Sequence, residues 1–309
     1  MSHPGEYLDV LIIGGGPAGL AAAIMVNRAR LGSLVLESND TGGTLRTARW
    51  VENYPGFANG IEGWELAQRI VNQADRFNVI AYREKVTGVR KEPGGFRVIS
   101  DMGERLCKVV IAAYGANWKS LGIPGEEQVM GIRLFNTIVQ IQQVAGGDLS
   151  GKRVFVIGAG DVAVDQSLAL FDRGAKVTIL VRGSRLKSAS HLERQVKRSR
   201  VKVLTDVTVQ AMDLSSSSLL MEVRQGERVY QEAVDAALAC VGRYTDFSIL
   251  PTGLGSADHA DAWGATDVPG LFLAGDLRRG ADRHTAIAVG DGQAAALAAI
   301  RYIRGTGDK

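Results

Sequence analysis

The sequence predicts an α/β chain containing two βαβ units of one design, and three observations carry that expectation. A short apolar run enters a glycine-rich turn and continues into an alanine-rich segment between Leu8 and Ala29. The same order recurs about 144 residues later, between Arg153 and Phe171. Each unit is followed by alternating, strand-like stretches punctuated by Gly and Pro or by polar turns.

Leu8–Ile13 is apolar except for Asp9, as a buried parallel strand requires. Gly14–Gly19 forms the turn, Leu20–Ala29 reads as a helix, and Leu34–Leu36 is a second strand ending at Glu37. In the second unit Arg153–Ile157 is a strand, Gly158–Ala163 the turn, Val164–Phe171 a helix and Lys176–Val181 the next strand. So long a period is not that of a solenoid. Val79–Thr87 and Gly95–Val110 read as short strands after the first unit. After the second come Lys202–Val209, Leu219–Gln225 and Arg228–Val241, with a polar turn at Ser215–Ser218. Each unit is therefore expected to carry a small antiparallel excursion.

The bulk composition narrows the function classes. The 309 residues are 46% apolar and 22% charged, an ordinary globular balance with material for two cores. A net charge of +3 gives no footprint for nucleic acid or an anionic membrane. No apolar run is long enough to span a bilayer, and the N-terminal apolar run passes straight into a glycine turn rather than a cleavage site. The expectation is a cytoplasmic protein. Cys107 and Cys240 stand far apart in apolar, strand-like contexts and read as inert core residues.

The first turn has the spacing Gly14-x-Gly16-x-x-Gly19, with Pro17 and Ala18 between the last two glycines. Gly14 permits the tight turn, Gly16 lets the backbone approach a pyrophosphate, and Gly19 lets the helix pack closely on the strand. The helix N-terminus offers amides and a positive dipole end to phosphates. Glu37 stands where a carboxylate can take ribose hydroxyls. The second turn, Gly158-Ala159-Gly160-Asp161-Val162-Ala163, is the same device with alanine in the third place. Counting 23 residues from Gly14 reaches Glu37, whereas the same count from Gly158 reaches Val181, followed by Arg182. The ribose-binding acid is missing there. Arg182, Arg185 and Lys187 suit a 2′-phosphate, so NADPH is expected over NADH, although a solvated basic loop would have the same composition.

GGGPAGLAAAI, Thr41-Gly42-Gly43, Val51–Gly56 (VENYPG), GIPGEE at Gly122–Glu127 and GLFLAGD at Gly270–Asp276 together resemble the low-molecular-weight thioredoxin reductases, in order and over essentially the whole chain. The resemblance implies two Rossmann-like, three-layer ββα nucleotide-binding domains, the second inserted in the first. Residues 1–117 plus 246–309 would bind FAD, and 118–245 would form the NAD(P)H-binding-like domain. It also implies FAD contacts from Gly14, Gly16, Pro17, Ala18, Gly19, Glu37, Gly42, Gly43, Asn53, Gly115 and Asp276. Arg283, His284 and Thr285 would face the isoalloxazine from a helix N-terminus, stabilising negative charge on the reduced ring. The competing reading of Asp276, a helix N-cap, carries less weight. A homodimer, with hinges near Trp118 and Tyr244, follows from the resemblance alone.

The sequence departs from the family where its chemistry resides. The Cys-x-x-Cys of those reductases falls on Phe135-Asn136-Thr137-Ile138, and the glutathione-reductase-type disulfide would fall on Gly43-Thr44-Leu45-Arg46. Neither holds a cysteine, and a dithiol relay needs thiolates. The usual His-Arg-Arg run is Val181-Arg182-Gly183, and the usual Ala-Thr-Gly turn is Ala113-Tyr114-Gly115. Tyr114 and Trp118 are expected to pack a hinge rather than stack on a ring. Arg182–Arg200 holds seven Lys or Arg residues against Glu193, which suits either an acidic carrier protein or a solvated face. The expected activity is an FAD-dependent, NADPH-linked oxidoreductase without a dithiol and without a metal, passing electrons from flavin directly to an acceptor. Thioredoxin-reductase-like ferredoxin (flavodoxin)–NADP reductases offer a cysteine-free precedent, but this chain ends at Ile303–Lys309, directly after its last helix, without their C-terminal extension. A flavoprotein without NAD(P)H turnover, a redox sensor or one whose second site holds another nucleotide, is a second alternative, and a small-molecule oxidase or dehydrogenase a third.

Overall fold

The computed structural model describes residues 7–144, 148–251, 253, 256–280 and 282–305. In chain order the first elements are β1 (Leu8–Ile13), α1 (Pro17–Arg28), β2 (Ser33–Glu37), α2 (Gly63–Arg76), β3 (Ile80–Arg83), β4 (Val86–Glu92), β5 (Gly95–Ser100), β6 (Gly103–Ala112) and β7 (Asn117–Trp118). Then come α3 (Glu126–Val129), β8 (Leu134–Phe135), α4 (Ile138–Val144), β9 (Arg153–Ile157), α5 (Asp161–Asp172), β10 (Lys176–Leu180) and α6 (Ser190–Arg198). The remainder is β11 (Lys202–Leu204), β12 (Val207–Leu214), β13 (Leu219–Gln225), β14 (Arg228–Val234), β15 (Ala236–Ala239), β16 (Arg243–Tyr244), β17 (Leu271–Leu273), α7 (Asp276–Arg279) and α8 (Thr285–Arg304). The chain divides into two compact units, one of Met1–Arg46, Val51–Asn117 and Tyr244–Lys309, the other of Thr47–Trp50 and Trp118–Arg243. Both contain parallel strands flanked by helices, the α/β class expected.

In the first unit the sheet runs β3-β2-β1-β6-β5-β4, and β17 joins it by pairing parallel with β6. β1 is buried on both faces. Val10 and Ile12 join the core beside α1 and α8, while Leu11 and Ile13 join the opposite core with Phe96 and Leu273. Small side chains let α1 and α8 approach closely: Ala18, Ala22 and Ala23 share a core with Ala288, Ala295 and Ala299. A Cβ on Gly292 would land on the Ala18 carbonyl. Asp291, nearly buried on α8, holds Arg278 and Arg279 of α7. Removing it would leave the largely buried Arg278 guanidinium with the Asp261 carbonyl but no carboxylate to balance its charge.

In the second unit the parallel order is β11-β10-β9-β15-β8, beside an antiparallel sheet β12-β13-β14. Val154 and Val156 face one core and Phe155 and Ile157 the other. Thr47–Trp50 belongs to this unit through named bonds. Gln166 Nε2 donates to the Thr47 carbonyl at 2.7 Å, and the Arg49 amide donates to Asp165 Oδ2 at 2.8 Å. The Arg49 guanidinium reaches Asp172 at 2.6 Å and Gln195 at 3.0 Å.

Several expected boundaries shift for identifiable reasons. α1 starts at Pro17 rather than Leu20, because proline tolerates the first helical turn, where its missing N–H costs nothing. Likewise α5 starts at Asp161 rather than Val164. The expected strand Val79–Thr87 is two strands, β3 parallel to β2 and β4 antiparallel to β5. Between them Glu84 turns inward, where Arg105 and Ser100 hold its carboxylate. Gly95–Val110 folds as the β5–β6 hairpin. Lys202–Val209 breaks at Asp206, whose φ is 57°. Arg228–Val241 breaks at Asp235, whose carboxylate accepts the Arg153 amide at 2.8 Å. Among the described residues no helix is long and apolar enough to cross a membrane.

Candidate functional site

In the first unit five parallel strands lie side by side in the order β3, β2, β1, β6, β17, and the carboxyl ends of the last four form one edge. That edge is where ligands bind in open α/β sheets. It carries Glu37, Gly14–Gly16, Ala113–Gly115 and Gly275-Asp276 in turn.

Each glycine of the first turn has its own geometry. Gly14 has a φ of 102° and abuts Ala113, so a side chain is excluded twice. A Cβ on Gly19 would strike the Gly14 carbonyl, so this glycine sets the helix-to-strand distance. Gly16 is different: its nearest protein neighbour would be Gly43 Cα, 3.9 Å from a Cβ. Its missing side chain thus opens a cradle at the N-terminus of α1, where first-turn amides have no intrahelical acceptor. Gly42 and Gly43, with φ of 100° and 60°, wrap against this turn, and the Gly42 amide donates to the Gly15 carbonyl at 2.8 Å.

Glu37 is fixed from both oxygens. Oε2 accepts the Gly15 amide at 2.6 Å and Oε1 accepts the Asn39 amide at 2.8 Å. A carboxylate has further lone pairs, so it keeps capacity for hydroxyl donors. Gly275 packs on Ala18, bringing Asp276, the first residue of α7, to the N-terminal end of α1. Asn53 Nδ2 and His284 Nδ1 lie 3.2 Å apart. His284 is the N-cap of α8, and Thr285 opens that helix. Arg283 Nε is buried with no hydrogen-bond partner. An orphaned donor of this kind costs about 1–3 kcal/mol unless something outside the described chain completes it. Gly115 has a φ of 76° and open space around it.

In the second unit Gly158 has a φ of 150° and a Cβ there would strike the Cys240 carbonyl, whereas Gly160 faces open space. Ala163 is buried in the core and Val162 is exposed. The loop after β10 is tied to this turn by two bonds that use the loop's backbone amides. The Lys187 amide donates to the Ala159 carbonyl, and the Ala189 amide to Asp161 Oδ1, both at 2.7 Å. Val181 is fully buried where the first unit has Glu37, and Arg182, Arg185 and Lys187 are exposed on the loop. Ser188 Oγ, in the same loop, is buried without a partner. The Gly15 amide and the buried Ser188 Oγ lie at the two candidate turns but are not singled out by the glycine pattern, because neither a backbone donor nor burial leaves a sequence signature.

Phe135 and Ile138 are both 3% exposed and belong to the core of the second unit. Ile138 opens α4, and its amide donates to Gln166 at 2.7 Å. Cys107 and Cys240 are buried, and burial pushes each thiol up to about 12. At neutral pH both are protonated and unreactive. Burial also pushes the Asp165 carboxyl up to about 6, against the opposing pull of the Arg49 amide. The Tyr114 hydroxyl donates to the Asp246 carbonyl at 2.8 Å, a packing role within the first unit. Trp118 stacks under the Arg243 guanidinium. Among the described residues no group of three His, Cys, Asp or Glu side chains is arranged to hold a metal.

Residues 8–292 match the family described as pyridine nucleotide-disulphide oxidoreductase. The thioredoxin reductase of Treponema pallidum is 34% identical over 302 residues, covering 96% of this chain and 97% of that protein. The thioredoxin reductase of Bacillus subtilis is 31% identical, covering 96% and 95%. The crystal structure of thioredoxin reductase from Lactococcus lactis superposes with a TM-score of 0.85 at 28% identity, covering 97% of this chain and 100% of that one.

Proposed function

The chain belongs to the pyridine nucleotide-disulphide oxidoreductase family, of the thioredoxin reductase type, and from that premise we propose that it is an FAD-dependent oxidoreductase that works without a dithiol. Its first unit would hold FAD and its second NADPH, with electrons leaving the flavin directly for an acceptor. The observation that carries this reading is the burial of Phe135 and Ile138, the residues that stand where the family's cysteine pair belongs.

The residues present fit FAD. Gly16 supplies the opening for a pyrophosphate, Glu37 is held ready for ribose hydroxyls, and Arg283 offers a buried donor that no described residue satisfies. When bound, the flavin accepts a hydride from a reduced nicotinamide and passes electrons on singly or in pairs. The protein's share is placement. α1 presents its N-terminus to phosphate, Asp276 is a candidate for the ribityl chain, and His284 and Thr285 offer the N-terminus of α8 to developing negative charge. The second turn, with Gly160 open and three exposed cations beside it, suits a phosphorylated dinucleotide.

Anaerobic addition of NADPH, followed by flavin absorbance, tests the reading, with mass spectrometry naming the nucleotides released on denaturation. Rapid bleaching and released FAD are the expected results; an unchanged oxidised spectrum overturns NADPH turnover. A second reading has its own observation. Val181 is buried and Gly183 has replaced an arginine, so the second site reads a 2′-phosphate with fewer groups than the family's pattern supplies. A flavoprotein whose second site holds another nucleotide would release that nucleotide in the same mass spectrum. As in the family's usual assembly, we read the active form as a homodimer.

A further inference from the structure

We infer that the outward face of α6, continued by Arg200 and Lys202, docks a small acidic electron-carrier protein; that the partner carries electrons rests on the dithiol-free reading above. Arg194, Lys197 and Arg198 are spaced three and four residues apart, so they share one stripe of the helix. All three are exposed, as are Arg200 and Lys202 beyond the helix end. Among the described residues none of these five cations pairs with a carboxylate; Arg194 only approaches Ser190 Oγ of its own helix, at 3.5 Å. Glu193 is the sole acid of this stretch, and it is half-buried.

The like charges Arg194 and Arg198, four residues apart, cost the helix a few tenths of a kcal/mol, and the last-turn placement of Lys197 and Arg198 lets the helix dipole offset part of that. The fold itself uses the other side of α6, where Leu192 and Val196 enter the core and Gln195 takes the Arg49 guanidinium. The chain as a whole has a net charge of only +3, so this stripe is a local concentration that steers an anionic partner.

The chemistry around the stripe selects the kind of anion. No Phe, Tyr or Trp occurs between Arg182 and Leu204, so the stripe and its flanking segments supply no stacking residue of their own for a single-stranded nucleic acid. The apolar residues of α6 point inward, leaving neither a hydrophobic anchor for a membrane nor the apolar centre of a permanent interface. A charged rim without an apolar centre gives fast, weak, salt-sensitive association, the kinetics that electron carriers need.

The test uses the flavin-loaded full chain with oxidised flavodoxin, and separately ferredoxin, as probes in calorimetric titrations. Micromolar binding is expected at low ionic strength, weakening at least about tenfold as the Debye length shrinks in about 0.3 M salt. The variant R194E/K197E/R198E should lose at least about tenfold in affinity, while its melting temperature and its rate of bleaching by NADPH stay unchanged. Absent binding of both probes, binding insensitive to salt, equal binding by the variant, or tighter capture of an RNA oligonucleotide or anionic vesicles each overturns the inference. Because binding is read without turnover, failure to bleach with NADPH while binding persists counts against the proposed function and leaves the docking face standing.

Discussion

The backbone amide of Gly15 donates to Oε2 of Glu37 across 2.6 Å, joining the first glycine turn to the end of the neighbouring strand. The carboxylate is thereby oriented before any ligand arrives, and the turn is held in the shape that leaves Gly16 open. Two distant sequence positions thus act as one structural piece.

Replacing Glu37 with alanine should loosen this piece and remove the acceptor for ribose. A charged hydrogen bond of this kind contributes about 1.5–3 kcal/mol, so flavin affinity should fall by about 10- to 100-fold. Fluorescence titration of stripped protein with FAD measures it; unchanged affinity would remove Glu37 from the site.

Gly16 and Gly19 should separate binding from folding. Gly16→Ala meets nothing closer than 3.9 Å in the protein, so the urea midpoint of the apoprotein should barely move while flavin occupancy collapses. Gly19→Ala drives its methyl group into the Gly14 carbonyl and should destabilise the apoprotein itself, by at least about 1–3 kcal/mol. Equal effects of both on folding would refute the cradle.

Thiol titration should read zero reactive cysteines in the native protein and both in denaturant, since Cys107 and Cys240 are buried thiols at neutral pH. The double variant Cys107→Ala/Cys240→Ala should keep its NADPH-driven bleaching. Loss of bleaching in a variant that still binds flavin would restore a thiol step.

Asp165 makes stability depend on pH. Its folded pKa of about 6 lies above the ordinary value of 3.8, so the folded state holds the proton more tightly than the unfolded chain. That contribution is fully present below about pH 4 and is lost as pH rises through about 6, a change of about 3 kcal/mol. Asp165→Asn should therefore gain stability relative to the parent between pH 4 and 7, read from urea midpoints. A difference that stays flat across this range would show that the carboxyl is not desolvated.

Gly183→Arg should restore a second cation beside Arg182. A side chain at this position meets no protein atom within 4 Å of its Cβ, so little strain accompanies it. A charge-assisted contact to a 2′-phosphate should raise the NADPH-to-NADH preference by about tenfold or more, measured as the ratio of bleaching rates at low nucleotide concentration.

The glycine turns and the buried parallel strands were legible in the sequence because steric demand leaves so few residue choices there. Leu8–Ile13 and Arg153–Ile157 appear at their expected bounds for that reason. What escaped was set by distant partners. No periodicity reveals that Glu84 turns inward to Arg105, so Val79–Thr87 read as a single strand. The placement of Thr47–Trp50 with the second unit depends on Asp165, Gln166, Asp172 and Gln195, all more than a hundred residues away. The orphaned Ser188 Oγ and Arg283 Nε were invisible for the same reason: burial is a property of the fold, not of the residue.

The loop after β10 is anchored through its own backbone amides, at Lys187 and Ala189, and not through the side chains of Arg182, Arg185 or Lys187. Its frame and its recognition surface are therefore independent parts. Those three side chains can be exchanged without dislodging the loop, so the nucleotide preference proposed for it would be an editable trait carried on a permanent mount. A lineage or an engineer can change it in single steps, each of which leaves a folded protein to work from.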